Sequence, residues 1–455
     1  MLGLAQGAGH ELTQDPSGAD VIVVNTCAFI DSAKKESIDA ILEMAQHKKD
    51  GTARRLIVTG CLAERYRDEL RAEIPEIDAI LGTGEVPEIV NAISGGARTG
   101  TSPLNFFRGS QPPISNLQPP SLEAPSPELR VRPTYIYDAD TPRIFATPRH
   151  YAYVKVAEGC DYKCAFCIIP TLRGAYRSRP AESIVREARG LAERGVKELL
   201  LISQDTTFYG IDRHERGALA RLLRELNTID GLEWIRLLYL YPTTIDADTL
   251  AAMAECDKVC KYIDLPLQHA ADPVLKRMKR PGTRATYDVL LNRIRRTIPD
   301  VALRTTFIVG FPGETEQDVS ALTDFVADHG FDHVGVFTYS HEEGTSAFDL
   351  PDDVPAATKK ARRNKVMGLQ KRLVRKRQQQ RIGERTRVVV DGPSADHDLV
   401  LRARLSTQAP DIDASVFLTE CDPSAYRPGD FVEVQIVGAR DYDLLARPVA
   451  RDPVL

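Results

Sequence analysis

The sequence predicts an α/β protein built in three parts. The first is a parallel sheet covered on both faces, the second a full or partial β/α barrel, and the third a small all-β barrel. Three observations lead there. Short β-branched apolar runs alternate with amphipathic helices over the first 97 residues. About six strand–helix units follow one another between about residues 149 and 358. After Arg387 come about 70 residues of short strands with turn signals.

In the first part, "ADVIVVNTCAF", "RRLIVTGCLAERY" and "IDAILGTGEV" read as strands, with "SAKKESIDAILEMAQ" as a helix between them. Open parallel sheets bind ligands in the loops at their strands' carboxyl ends, and Cys27 and Cys61 fall in two such loops. Residues 98–148 are rich in Pro and Ser and read as a linker. In the barrel, residues 149–375, the strands are "YAYVKVAEG", "KELLLISQD", "EWIRLLYLYP", "YIDLPLQH", "LRTTFIVGF" and "HVGVFTYS". A basic helix over 359–385 carries one apolar stripe, Val366, Leu369 and Leu373. It leads into the last part, residues 376–455.

The chain has formal net charge -5 and no apolar run of the ~18 residues that span a bilayer. Its start lacks a basic flank followed by an apolar core. These features predict a cytoplasmic location. In a reducing compartment, clustered cysteines point to metal or redox chemistry.

Three of the eight cysteines fall in "EGCDYKCAFCIIP", a C-x3-C-x2-C array of Cys160, Cys164 and Cys167. Zinc takes four ligands, usually in paired knuckles, and the loop offers neither a second pair nor a histidine. A four-iron cluster with three cysteines keeps one iron open. The array, placed after the first barrel strand, resembles that of the radical S-adenosylmethionine (radical SAM) enzymes. The resemblance implies a 4Fe-4S cluster whose open iron is chelated by S-adenosyl-L-methionine. It also implies reductive cleavage of that cofactor to a 5'-deoxyadenosyl radical. Phe166 matches the aromatic residue that packs beside the adenine. The strand-end loops carry further candidates for cofactor binding: Gln204, Asp205, Gln268, Gly310 and Gly313, with Arg304 in the strand before the last two. Tyr241, His269 and Glu314 share those loops. The glycines also suit tight turns.

The whole chain is similar to the methylthiotransferases within that superfamily. The resemblance implies a flavodoxin-like N-terminal domain, a radical SAM core and a C-terminal TRAM barrel. It further implies a second 4Fe-4S cluster, held by three N-terminal cysteines, that carries the sulfur to be inserted. "VNTCAF" and "VTGCLAER" match two of these, at Cys27 and Cys61. The family's first cysteine, in a Gly-Cys-Pro-Lys-Asn-like stretch after a first strand, has no counterpart here. Two expectations follow: a start assigned at an internal methionine, which is favoured, or a short chain with an incomplete auxiliary site. A sheet lacking a strand would expose an apolar edge. Cys256, Cys260 and Cys421 read as structural residues.

One branch of the family modifies an adenosine of transfer RNA, and another an aspartate of ribosomal protein S-twelve. "ISQDTTFYGID", "YIDLPLQHA" and "FTYSHEEGTSAFDLPDDVP" resemble the ribosomal branch. So does "QAPDIDASV", which makes Asp411 and Asp413 candidate partner contacts, although Gln408 and Ala414 depart from that branch's pattern. From Thr386 onward the chain carries about 12 acidic and 7 basic side chains. Such a surface repels phosphate and suits a basic protein. The implied partners are protein S-twelve, a flavodoxin- or ferredoxin-like reductant and a sulfur donor. Transfer RNA is the alternative substrate. A non-enzymatic iron-sulfur factor of the ribosome is a second alternative.

Overall fold

A computed structural model describes residues 1–95, 133–394 and 399–449. The chain divides into two compact units: Met1–Ile136 with Ile169–Ala175, and Tyr137–Ile168 with Tyr176–Leu455. Most of the predicted linker lies outside the described residues. Its far end does not behave as a linker. The Tyr137 hydroxyl accepts from Lys155 N at 2.8 Å, and Arg143 pairs with Glu187 at 2.7 Å and donates to Tyr153 O at 2.6 Å. This stretch packs against the barrel.

The first unit holds α1 (Leu2–Gly7), β1 (Val21–Thr26), α2 (Asp31–Lys49), β2 (Arg55–Gly60), α3 (Cys61–Arg65), α4 (Arg67–Glu73), β3 (Ala79–Leu81), α5 (Ile89–Ser94) and α6 (Ile169–Arg173). The strands pair in parallel in the order β1-β2-β3, with Thr26 opposite Gly60 and Thr59 opposite Leu81. This is the parallel α/β sheet that the sequence predicts. Leu56, Ile57 and Val58 of the central strand are fully buried. β1 is an edge strand with one open flank, and Val23 there is 39% exposed.

The second unit opens with β4 (Tyr151–Lys155) and a small ribbon of β5 (Ala157–Glu158) and β6 (Arg177–Ser178). Then follow α7 (Ala181–Glu193), β7 (Glu198–Ile202), α8 (Ala218–Asn227), β8 (Trp234–Leu237), α9 (Ala247–Glu255) and β9 (Tyr262–Asp264). After these come α10 (Asp272–Arg277), α11 (Arg284–Thr297), β10 (Ala302–Val309), α12 (Glu316–His329) and β11 (His333–Thr338). Parallel ladders run β4-β7-β8 and β9-β10-β11, joined by a bridge between Ile235 and Val259. No ladder closes β11 onto β4 among the described residues, so the barrel is partial. Alternation along the strands sets its two faces. Leu199, Leu201, Ile235, Leu237, Leu303 and Phe307 pack outward under the helices. Arg236, Asp264 and Arg304 alternate with them and face inward.

The strand β8 stops earlier than its apolar run suggests. Tyr239 adopts φ +60°; its N–H donates to Asp264 Oδ2 at 3.0 Å, and Leu240 N donates to Asp264 O at 2.9 Å. These bonds turn "LYLYP" out of the ladder. The buried stripe of α13 (Ala356–Gln380) is also less apolar than expected. Arg362, Val366, Gln370, Val374 and Gln378 recur at every fourth position and are buried. Gln370 Nε2 donates to Phe331 O at 2.9 Å, and Gln378 donates to Tyr442 O.

The terminal barrel closes in the order β12-β13-β14-β16-β15, from β12 (Arg385–Pro393), β13 (Leu401–Leu405), β14 (Val416–Leu418), β15 (Phe431–Arg440) and β16 (Asp443–Pro448). It caps the N-terminal ends of the β/α strands through buried charge. Arg404 pairs with Glu198 at 2.8 Å and with Asp391 at 2.8 and 3.0 Å. Asp391 also meets His150 at 2.9 Å. Glu198 pairs with Arg236 at 2.8 Å, and Arg236 donates to Ser406 O at 2.8 Å.

Three predicted site residues fall in this junction instead. Asp411 accepts from the Tyr151 hydroxyl at 2.9 Å, and Asp413 from Tyr262 at 2.7 Å. The Asp413 carboxylate is 1% exposed and also faces Arg304 at 3.3 Å and His333 at 3.4 Å. Its oxygens are used within the chain, so Asp413 offers nothing to a partner. Arg304 bridges Asp264 and Asp413. It lies five residues before the end of its strand, about 17 Å from the strand-end loops at ~3.3 Å per residue. That position removes it from the cofactor loops.

Burial alone would raise the Glu198 and Asp391 carboxyls. The Arg404 and Arg236 charges outweigh it at Glu198, and the His150 bond and Arg404 outweigh it at Asp391, so both stay below the ordinary carboxylate range. Acids depressed in this way stabilise the fold above their unfolded values, about 4. That stability is lost as the pH falls through the lower folded values. Arg404→Met should strip one partner from each of two buried carboxylates, leaving Glu198 with Arg236 and Asp391 with His150, at a cost of about 3–5 kcal/mol. Thermal unfolding across pH 3–7 should show a lower midpoint for the variant and acid unfolding beginning at higher pH.

Candidate metal centre and cofactor site

The array loop leaves the C-terminal end of β4, where barrel enzymes assemble their sites. It is pinned along its length. Gly159 N donates to Gln204 Oε1 at 2.7 Å, and Tyr176 N donates to Asp161 Oδ1 at 3.0 Å. Ala165 N donates to Met278 O at 2.8 Å, and Ala165 O accepts from Ala347 N at 2.8 Å. Cys167 N turns back to Cys164 O at 3.1 Å. Ala165 is buried among Val274, Met278, Phe311 and Tyr339, with Phe166 packed against the same cluster. Cys160, Cys164 and Cys167 are each half-buried. Burial pushes the Cys160 thiol up to about 11, so a thiolate there needs a cationic partner.

Beside the array stands a cationic and aromatic wall. The Arg280 guanidinium lies 3.9 Å over the Tyr241 ring and points Nη1 at Cys164 Sγ, 3.7 Å away. Tyr241 stacks on Tyr162 with ring centroids 3.8 Å apart, and its hydroxyl is 3.9 Å from Cys164 Sγ. Arg280 Nε is buried without a hydrogen-bond partner. Three thiols, a buried cation and an open polar donor fit an anionic cluster with a charged ligand.

The other predicted residues have defined places. Gln204 anchors the loop, as above. Asp205 is buried and caps a short turn, accepting from Thr207 N at 2.9 Å and Phe208 N at 3.2 Å. Burial raises its carboxyl, against the pull of the Thr207, Tyr162 and Thr244 hydroxyls. Gln268 holds φ +72° while its backbone bonds to both Thr306 O and Ile308 N. His269 Nδ1 accepts from Ala271 N at 3.0 Å, and its Nε2 faces Glu314 at 3.4 Å. Glu314 accepts from Gly310 N at 2.9 Å and pairs with Arg362 at 3.0 Å. Gly310 and Gly313 adopt φ +74° and +73°, so both serve turns that favour glycine.

In the first unit, the β1–β2 register brings Cys27 and Cys61 out of neighbouring strands at one level. Gly60 makes the turn between strand and cysteine. It has φ +102°, and a Cβ there would meet Thr26 O at 2.5 Å. Cys27 is exposed, with its backbone held by Ser37 Oγ at 3.0 and 2.9 Å. Cys61 is buried, with Arg173 Nη2 3.4 Å from its sulfur. Cys256 and Cys260 are buried in the second unit, and burial raises both thiols, Cys260 to about 11. Cys421 packs on the terminal barrel's core. No three His, Cys, Asp or Glu side chains among the described residues converge as the ligands of one ion would.

Comparison with known proteins gives the same three parts. The radical SAM superfamily matches residues 154–326, the TRAM domain 382–449, and the uncharacterized protein family UPF0004 residues 1–82. The chain is 45% identical to ribosomal protein uS12 methylthiotransferase RimO of Koribacter versatilis, over 98% of this chain and 92% of that protein. It is also 45% identical to the protein of that name from Solibacter usitatus, over 100% and 93%. The chain belongs to the radical SAM methylthiotransferase family. The fold is shared with the radical SAM methyltransferase TsrM from Kitasatospora setae, at TM-score 0.53 and 17% identity. That match covers 70% of this chain and 62%, under two thirds, of the TsrM chain.

Sequence reasoning reached the cysteines and most of the strand-end loops. It missed Tyr162 and Arg280. Tyr162 stood in plain view inside the array, whereas Arg280 reaches Cys164 across 116 positions of chain, and no local pattern signals that.

The Gly310 turn supplies a stability test. A Cβ at Gly310 would lie 2.3 Å from Lys359 Cγ, in a left-handed conformation. Gly310→Ala should cost about 1–3 kcal/mol, read as a lower denaturant midpoint, while Gly383→Ala, with open space around it, should cost less.

Proposed function

We propose that this chain is a methylthiotransferase that inserts a methylthio group at the β-carbon of an aspartate in small-subunit ribosomal protein S-twelve. The near full-length identity to uS12 methylthiotransferases carries this reading, and the pinned three-cysteine loop is its chemical counterpart. Cys160, Cys164 and Cys167 would hold a 4Fe-4S cluster, with Phe166, Gln204, Asp205, Gln268, Gly310 and Gly313 around S-adenosyl-L-methionine. Cys27 and Cys61 would be ligands of the auxiliary 4Fe-4S cluster. The other three cysteines lie in the second unit.

When bound, the cluster and S-adenosyl-L-methionine supply the electron and the radical that an unactivated C–H bond requires. The protein's part is holding and shielding. The Ala165 anchors fix the array's height above β4. The Tyr162–Tyr241 stack covers one side of the loop and excludes water there. The His269–Glu314–Arg362 chain braces the loops after β9 and β10. Among the described residues no helix is long and apolar enough to cross a membrane, in keeping with a cytoplasmic enzyme served by a flavodoxin- or ferredoxin-like reductant and a sulfur donor.

Cys164→Ala, assayed anaerobically with S-adenosyl-L-methionine and reductant, should release no 5'-deoxyadenosine; retained cleavage overturns the cluster assignment. Protein S-twelve and transfer RNA offered side by side should show a methylthio mass gain on the protein alone. Gain on transfer RNA would favour the other branch of the family, and binding of both clusters without cleavage would favour a non-enzymatic role.

A further inference from the structure

We infer that Arg280 is a positioning residue that sets the reduction potential of the cluster held by the C-x3-C-x2-C array. The inference rests on Cys164 being a cluster ligand, as proposed above. Arg280 is 7% exposed, yet it pairs with no carboxylate among the described residues. Its neighbours are a thiol, an aromatic face and the Pro266 carbonyl. An arginine cannot shed its charge, and an unbalanced buried cation is costly. Something anionic must offset it, and Cys164 Sγ, 3.7 Å from Nη1, is an anion-forming group within reach.

The side chain is held where it is. Lys279 takes φ +51° to end the turn after α10, and Arg280 N donates to Leu275 O at 2.9 Å. Nη2 is tied to Pro266 O, and the guanidinium plane lies on Tyr241. Nη1 is thereby aimed at the sulfur, while Nε faces the interior unpartnered.

Three thiolates on a 4Fe-4S core make an anion, and one-electron reduction adds a further negative charge. Net charge and hydrogen bonds to the sulfurs are what tune such clusters. A fixed cation against one sulfur favours the reduced form and so raises the potential. Burial strengthens the effect, because the local dielectric is low. Reduction is the step on which cofactor cleavage depends.

The test is potentiometric EPR of the anaerobically reconstituted full chain, following the array cluster in a Cys27→Ala/Cys61→Ala background. Arg280→Gln should make reduction about tenfold less favourable, a fall of about 59 mV for one electron. Arg280→Lys keeps the charge but sets it back from the sulfur, and a threefold loss, about 28 mV, is expected. An unchanged potential in variants that retain full cluster overturns the inference. Should Arg280→Gln fail to hold a cluster, Arg280→Lys decides by the same criterion. If the background protein itself binds no cluster, the assignment of the array fails instead, and the two failures are told apart by iron content.

Discussion

Arg404 is the hinge of the charge arrangement that the second unit is built around. It sits in the terminal barrel but satisfies Glu198, the first residue of β7, together with Asp391 beneath His150. Glu198 in turn holds Arg236. All five of these groups are almost wholly buried. Breaking one contact would strand a charge at low dielectric, which is far more costly than the pair itself is worth. The network therefore fixes one docking geometry. Around it pack Tyr151, Trp234, Tyr262 and Ala302 from the barrel strands, against Val389 and Ala409. The two ends of the parallel strands thus have separate duties: the N-terminal ends are sealed, and the C-terminal ends carry the array and its neighbours.

The same division explains where the backbone is strained. Tyr239 and Gln268 hold positive φ just past the ends of β8 and β9, and Gly310 does so past β10. Such conformations persist only where the surroundings impose them. Asp264 imposes the first, the β10 ladder the second, and Glu314 the third. Glu314 is held by Arg362 of α13, the helix that runs on to the terminal barrel. One helix therefore braces both ends of the partial barrel, through Arg362 at the loops and Gln378 at Tyr442.

Period and spacing made much of this legible. Apolar strands between amphipathic helices predicted both α/β regions, and three cysteines in eight residues marked the loop that leaves β4. What stayed hidden were pairings between distant segments. Asp413 looks like an exposed acid in a loop, as Asp411 is; only the fold reveals the tyrosines bonded to them. Arg304 shares a strand with the candidate loops, and its end of that strand is decided by register, not by composition. Val366, Leu369 and Leu373 pack on the core along α13 as expected, but Arg362 before them and Gln370 and Gln378 among and after them are buried too, because facing carbonyls and carboxylates are there to meet them.

The terminal barrel also leaves the ribosome after the β/α strands that it caps. Until β13 emerges, Glu198 and Arg236 have no Arg404 or Ser406 carbonyl to complete their bonding, and Tyr262 has no Asp413. The β/α strands can form in order as they are made, but their charged floor stays open to water until β13 has been made. Commitment of the β/α half thus waits on the barrel that follows it, and a nascent chain released before β13 would present that floor to chaperones and proteases.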